Sequence, residues 1–412
     1  MSVPSLRFKE FAQDSIEKKA LMECTTRIGD GIHSTPNYDD EGSYHFVNGN
    51  NLVDDHIVIN DSTKRVAKEE AEKHSRDLSD RTILLSINGT IGNTAFYRGE
   101  RIMLGKSAAY INVSEGVSKD FVYQSLKSHR VQSFFFGELT GSTIKNLSLK
   151  TIRETKLLLP SLPEQRKIAD FLSAVDEKIR LLTEKKDKLE TYKKGVMQKL
   201  FPKQGQTNPE LRFKRPDGTA FPDWEEKRLG VVFERITSKN KEDNQNVLTI
   251  SAQHGLISQL EFFNKSVSAS DLTGYYILER GDFAYNKSYS NGYPLGAIKR
   301  LDRYDKGVVS TLYICFRLIE DTGLNYWEHY FDAGQLNHEI SKIAQEGARN
   351  HGLLNMSVVD FFKDIVVKIP SKEEMKRISK FLDELKTKVC LAETELDQMK
   401  DFKKGLLQQM FV

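Results

Sequence analysis

At 412 residues the chain is longer than one hydrophobic core usually organises, so two or more domains are expected. Hydrophobic residues make up 39% and charged residues 29%, enough for globular cores with long solvated helices, and no apolar run approaches the roughly 18–20 residues of a membrane helix. The net charge of +3 lacks the strong basic bias of a protein that grips DNA unaided. A DNA-binding reading therefore needs clustered basic groups or partners that share the backbone contact.

In chain order, the start MSVPSLRFKEFAQ lacks the apolar stretch of a signal peptide. Cys24, Cys315 and Cys390 show no metal or redox spacing, so reduced packing thiols and a cytoplasmic setting are expected. The run from Arg81 to Gly99, RTILLSINGTIGNTAFYRG, reads as strand, Asn-Gly turn region, strand. A second strand pair is expected near Ser107 to Val113, then a helical stretch from Lys119 to Phe136. A Gly-bearing loop, TGSTIKNLS, precedes the last extended segment.

From Pro160 to Phe201 the chain turns amphipathic. Ile168, Val175, Leu182, Leu189 and Val196 recur every seven residues, and Phe171, Leu172, Ile179, Tyr192 and Leu200 are read as widening the stripe. This spacing predicts a helix packed on another helix. Ser161 followed by Glu164 has capping-box spacing. Gly195 is a misfit where the helix is expected to kink or stop. The Pro- and Gly-rich segment from Pro202 to Lys227 reads as a linker into a second domain.

That second domain repeats the first. GDFAYNKSYSNGYPLGAIKRL (Gly281 to Leu301) is the counterpart of the first strand–turn–strand run, Val308 to Leu318 of the second pair, and Leu324 to Ile343 of the helical stretch. EGARNHGLLNMS matches the Gly-bearing loop. Pro370 to Phe411 aligns without a gap on Pro160 to Phe201. Ile378, Leu385, Ala392, Met399 and Leu406 hold the seven-residue line, with Phe381, Leu382, Val389, Leu396 and Phe402 beside it, and Ser371 with Glu374 repeats the capping signal. LRFK recurs at Leu6 and Leu211. A helix of about 38 residues is a rod of roughly 57 Å. Recognition elements one DNA turn apart are about 34–36 Å apart, so two domains on such rods would form a ruler.

The loop GSTIKNLS, the segment LPSLPEQRKIADFLSAVDEKI and the helix end KKGVMQKLF resemble the repeating architecture of type I restriction–modification specificity subunits, as do DGIHSTPNYDDEG and ILLSINGTIG. The likeness covers essentially the whole chain, although EEMKRI replaces PEQRKI in the second copy. It implies an α+β fold: two mixed α/β target-recognition domains related by a pseudo-twofold, separated by two long helices packed as an antiparallel coiled coil. The expected divisions are 1–160 and 203–370 for the domains, the latter including the linker, and 161–202 and 371–412 for the helices. The resemblance further implies a non-catalytic subunit that reads a split target in double-stranded DNA. Two methyltransferase subunits and motor-nuclease subunits would be its partners, with no membrane. It would bind no cofactor itself; S-adenosylmethionine, ATP and Mg²⁺ would sit on the partners.

Direct readout needs donor and acceptor side chains on exposed loops. The first half offers Arg27, His33, Ser34, Thr35 and Asn37, then Asn48, Asn50 and Asn51, and the turn at Asn88 and Thr90. The second offers Lys239, Asn240, Lys241, Gln253, His254, Lys287, Ser288, Tyr289, Asn291 and Tyr293. Lys145 and Arg349, on the Gly loops, are candidates for phosphate. Asn, Ser and Gly also favour turns for backbone reasons alone, so each of these residues taken singly reads first as a solvated loop residue, and it is the loops as a set that point to DNA contact.

Other motifs fall short. Gly105-Lys106-Ser107 lacks the spacing and the following helix of a phosphate-binding loop. Pro222, Asp223, Glu225 and Lys227 crowd into one turn, where a nuclease needs carboxylates from separate strands. No Asn-Pro-Pro-aromatic or G-x-G-x-x-G motif appears, and the nine His residues lack metal-ligand spacing. The alternatives are a coiled-coil adaptor without DNA contact, or a stand-alone nuclease or methyltransferase.

Overall fold

The computed structural model describes residues 4–53, 55–141, 145–251, 255–263, 271–289, 292–320, 323–344, 349–350 and 353–411. The chain forms two compact units: Met1–Thr183 with Glu393–Val412, and Glu184–Ala392. Each unit thus takes a globular part and one piece of each of two 39-residue helices, Leu162–Leu200 and Lys372–Met410.

The first unit is built on a four-stranded antiparallel sheet in the order Thr25–Asp30, Ala108–Val113, Thr82–Ser86, Thr94–Phe96. The two central strands are buried at every residue, as a short apolar run between polar turns implies. Where a second strand pair was expected there is the single strand Ala108–Val113, which pairs on both sides. The expected helical stretch divides into Lys119–Lys127 and His129–Gly137, because Ser128 adopts extended backbone and caps the second helix by accepting from the Val131 N–H. Strand Lys156–Leu159 pairs with Glu17–Ala20 and leads into the long helix. Ile83, Leu85 and Ile111 of the sheet pack with Phe121 and Leu126, with Ile168, Leu172 and Val175 of the first long helix, and with Leu406, Leu407, Met410 and Phe411 of the second.

The second unit repeats this plan. Its sheet runs Phe233–Arg235, Ile314–Leu318, Phe283–Asn286, Ala297–Arg300. The helical stretch again divides, into Leu324–Asp332 and Asn337–Ile343. Strand Val366–Ile369 pairs with Glu225–Arg228 and leads into the second long helix. The core is aromatic: Phe233 stands 5.0 Å from Trp327 and 5.2 Å from Phe316, ring centre to ring centre. Val196, Met197, Leu200 and Phe201 from the end of the first long helix share this core with Ile378, Leu382 and Leu385 from the start of the second.

The seven-residue line is buried at Ile168, Val175, Leu182, Val196, Ile378, Leu385, Ala392 and Leu406, and half-buried at Leu189 and Met399. The flanking residues need a correction. Tyr192 and Phe402 are 54% and 51% exposed, and Phe171 is also on the exposed side. They stand three residues after the buried line, on a row shared with Lys178, Lys185 and Lys199. The second inward row stands four residues after it: Leu172, Ile179, Lys186, Lys193, Leu200 on one helix and Leu382, Val389, Leu396, Lys403, Met410 on the other. Neither Gly195 nor its counterpart Gly405 stops its helix; the helices run on to Leu200 and Met410.

The LRFK repeat proves to be a clasp. In the first unit the Leu6 N–H donates to Gln409 O (3.2 Å), Arg7 forks onto both carboxylate oxygens of Glu164 (2.9 and 2.6 Å), and Phe8 stands edge-on to Phe171 at 5.9 Å. In the second, Leu211 N–H donates to Lys199 O (2.8 Å), Arg212 forks onto Glu374 (3.0 and 2.7 Å), and Phe213 meets Phe381 at 5.8 Å. Both glutamates are essentially fully buried, and bidentate pairing satisfies them where water cannot. This revises the capping-box reading. Ser371 Oγ does accept from the Glu374 N–H (3.3 Å), but the glutamate side chains serve the arginines, and Ser161 Oγ is buried without a partner among the described residues.

Candidate nucleic-acid interface

In the first unit Asp30, Ser86, Thr94 and Ala108 mark one end of the sheet, since Asp30 pairs with Ala109, Ser86 with Ala108 and Leu85 with Thr94. The candidate loops leave from that end and are tied together. Thr90 Oγ1 donates to Gly49 O (2.9 Å). Ser107 Oγ donates to Asn48 Oδ1 (2.8 Å) and accepts from the Gly49 N–H (2.9 Å). Ile32 N–H donates to Leu104 O (2.8 Å), and Leu147 N–H to Ile87 O (2.9 Å). With its amide turned to suit its neighbours, Asn88 donates to Asn146 Oδ1 (2.6 Å) and Lys145 O (3.3 Å). The approach is close: a Cβ on Gly49 would meet Ser86 Oγ at 2.2 Å, and one on Gly105 would meet Asn48 Oδ1 at 2.3 Å.

This cluster sorts the candidates. His33, Ser34, Thr35, Asn37, Asn50, Thr90 and Lys145 are exposed, with His33 Nε2 2.9 Å from Asp30 Oδ2. Arg27 is exposed on the strand Thr25–Asp30, three residues before the sheet end. Asn48 and Asn88 are half-buried and hold the loops together. Asn51 is 9% exposed; its amide accepts from the Asn48 N–H (2.9 Å) and donates to Val58 O (3.0 Å), so it shapes the turn rather than facing outward. Sequence reasoning passed over Lys106, which is exposed on the same turn as Ser107. Its signal was the Gly105-Lys106-Ser107 run, tested only as a nucleotide loop.

In the second unit the corresponding end lies at Arg235, Asn286, Ala297 and Ile314. Lys239 is exposed, donates to Gly274 O (2.8 Å) and sits 4.1 Å from the Tyr276 ring centre. Lys241 is exposed. Asn240, 2% exposed, accepts from the Asn244 N–H (2.9 Å) and donates to Asn244 O (3.0 Å); it clamps its loop from within. Lys287 and Ser288 are half-buried and Tyr289 is exposed. Tyr293 is half-buried, and its hydroxyl accepts from Lys299 Nζ (2.9 Å). Lys287 O accepts from the Leu354 N–H (3.2 Å), and Arg349 pairs with Leu354 through its backbone, so that hairpin meets the same loop. Gln253, His254 and Asn291 lie outside the described residues.

Among the described residues no group of three His, Cys, Asp or Glu is placed to hold a metal ion, and no helix is long and apolar enough to cross a membrane. Asp223 accepts from Asn208 Nδ2 (2.7 Å) and Glu225 pairs with Lys227 (3.2 Å), so the crowded acidic turn is engaged locally. Burial pushes the Cys315 thiol up to about 12.

Residues 24–191 match the family model described as the type I restriction modification DNA specificity domain. The type I restriction enzyme MjaVIII specificity subunit of Methanocaldococcus jannaschii is 28% identical over 164 residues, which span 39% of this chain and 37% of that one. The MjaIX specificity subunit of the same organism is 26% identical over 45% of this chain and 44% of its own. These matches thus span less than half the length of either relative. The crystal structure of the type I restriction-modification system S subunit from M. genitalium superposes with a TM-score of 0.56 at 16% identity, covering 100% of this chain and 99% of that one, which extends the likeness of fold to both units. The first half of the chain is thus similar to a type I restriction modification DNA specificity domain, and the fold of the whole chain is similar to that of a type I S subunit.

Proposed function

We propose that the chain is the non-catalytic, sequence-reading subunit of a type I restriction–modification complex. Each globular part reads one half of a split target in double-stranded DNA. The two long helices, related with their domains by a pseudo-twofold and packed antiparallel, set the unread spacer. One observation carries this reading: separate runs of polar and basic residues converge on one end of the sheet, twice, in units built to the same plan. Phosphate contacts from Lys106, Lys145, Lys239 and Lys241 would position the duplex, and the polar loops would supply readout.

The modest net charge fits a reader that shares the duplex with partners. Two methyltransferase subunits dock on the scaffold, and motor-nuclease subunits join them. S-adenosylmethionine, ATP and Mg²⁺ belong to those subunits. The repetition of exposed apolar residues at matched positions of the two helices, Leu181 with Leu391 and Tyr192 with Phe402, supports two copies of one partner.

The test is a domain exchange. Replacing residues 1–160 by the first domain of another specificity subunit, in a cell carrying the partner subunits, should change the methylated sequence in one half of the target only. Change in both halves, or in neither, rules out modular reading.

A further inference from the structure

Lys299, on strand Ala297–Arg300, is a charged residue only 8% exposed. Its ammonium donates to Asp332 Oδ1 (2.6 Å) and to the Tyr293 hydroxyl (2.9 Å), and it stands 4.8 Å from the centre of the Tyr293 ring. Burial opposes the charge, but Asp332 and Tyr293 more than offset it, and the pKa of Lys299 is raised. The group stays an ammonium.

An ammonium has donors and no acceptor, so the phenol oxygen must accept in this pair. The phenol proton is then directed away from Lys299, and the cation over the ring makes the hydroxyl a better donor. The backbone holds the ring in place. Gly296 N–H donates to Tyr293 O (3.2 Å), and the Tyr285 hydroxyl donates to Leu295 O (2.6 Å). Gly296 has φ +87°, and a Cβ there would lie 2.3 Å from Asn286 O, so the turn admits only glycine.

We propose that Lys299 is a positioning residue for DNA reading by the second unit, presenting the Tyr293 hydroxyl as a fixed outward donor to an acceptor on the bound duplex. This rests on the reading of that loop as a DNA contact. The acceptor is a phosphate oxygen or the N or O acceptor of a base edge; the chemistry is common to both, and the measurement separates them.

The experiment uses the full chain assembled with its methyltransferase subunits. Binding is measured to a duplex carrying the methylated target mapped in cells, and to the same duplex with the target scrambled. Tyr293→Phe and Lys299→Met should each weaken binding to the target about three- to tenfold, the worth of one hydrogen bond. The double variant should be no worse than either single one, which a merely structural lysine would not produce. Tyr293→Phe leaves the ring and the fold in place, so the proposal stays testable if Lys299→Met fails to fold. Loss confined to the mapped target identifies a base edge, and equal loss on both duplexes a phosphate; either sustains the proposal. Wild-type binding by Tyr293→Phe or by a folded Lys299→Met, or losses that multiply in the double variant, overturn it. Lys239→Ala with Lys241→Ala separates the two claims. If these weaken binding while Tyr293→Phe does not, only the role of Lys299 fails. If neither weakens binding, this unit does not touch DNA.

Discussion

At the same place in each unit, the sixth residue of the nine-residue helix that follows the sheet, the first unit holds Gln124 and the second holds His329. Both are buried, and each meets an aspartate on a long helix: Gln124 Nε2 donates to Asp176 Oδ2 (2.9 Å), and His329 Nε2 lies 2.8 Å from Asp383 Oδ1. The surroundings differ. In the first unit Asp176 also pairs with the buried Lys403. In the second, Lys193 occupies the position of Lys403 and Lys386 that of Asp176, and countercharge comes from the domain helix as Glu328 and Asp332. One plan thus joins domain to helix with a neutral amide in one copy and a titratable ring in the other. The duplicated fold constrains the position, and the charge arrangement around it is free to diverge.

The largest expected effect concerns what the copies share, the clasp. Breaking a buried ion pair by removing one partner costs about 3–5 kcal/mol, because the other charge is left buried. Arg7→Met should fall in that range, measured by chemical denaturation of the first unit's signal. Arg212→Met should cost less, because Trp224 Nε1 still donates to Glu374 (3.2 Å). Equal losses would mean that the tryptophan bond contributes nothing, and that the two clasps are energetically the same.

The next effect separates the copies by pH. Burial lowers the His329 pKa below its ordinary 6.5, although Asp383 and Glu328 favour the charged ring and Lys193 opposes it. Geometry agrees: Nε2–H donates to Asp383, while Nδ1 is buried with no partner among the described residues, so a second proton would find no acceptor there. The unfolded chain therefore takes up this proton first as pH falls. Stability should decline from about pH 6.5 down to the folded-state pKa, with a slope of at most about 1.4 kcal/mol per pH unit. His329→Gln, which gives the second unit the residue of the first, should flatten that stretch of the pH–stability curve. An unchanged curve would place the proton elsewhere.

A smaller effect tests the ion pair of the first unit. The Lys403 pKa is lowered, first by burial and then by Lys127. Lys403→Met should cost about 1 kcal/mol, since Asp176 is partly exposed and keeps the Gln124 bond. Lys403→Met with Asp176→Asn should be near neutral. A large loss in the double variant would show that the pair does more than balance its own desolvation.

Much of this was legible in the sequence because it was written twice. The seven-residue line from Ile168 and Ile378 places both long helices, and the strand–turn–strand runs place both sheets. The clasp was visible only in pieces: LRFK and the paired glutamates recur, but no local rule joins Arg7 to Glu164 across 157 residues. The flanking row was misjudged because aromatic character at Tyr192 and Phe402 outweighed the lysines that share their row. Asn51 and Asn240 entered the candidate set because an asparagine that clamps its own loop looks, in sequence, like one that faces a base. Lys299 gave no signal, since a lysine in a strand ordinarily reads as an outward residue.

The smallest expected change in stability carries the sharpest test of the shared scaffold. Tyr192 and Phe402 occupy matched positions, and each is half exposed, so serine at either should shift stability by no more than about 0.5 kcal/mol. If one kind of partner docks on both helices, each substitution alone should remove about one bound copy of the methyltransferase subunit, read by the mass of the assembled complex. The double variant should remove both. Loss from only one position would mean that the copies have diverged at the docking face as they have at Gln124 and His329. Full assembly in the double variant would leave those aromatic rings without a docking role.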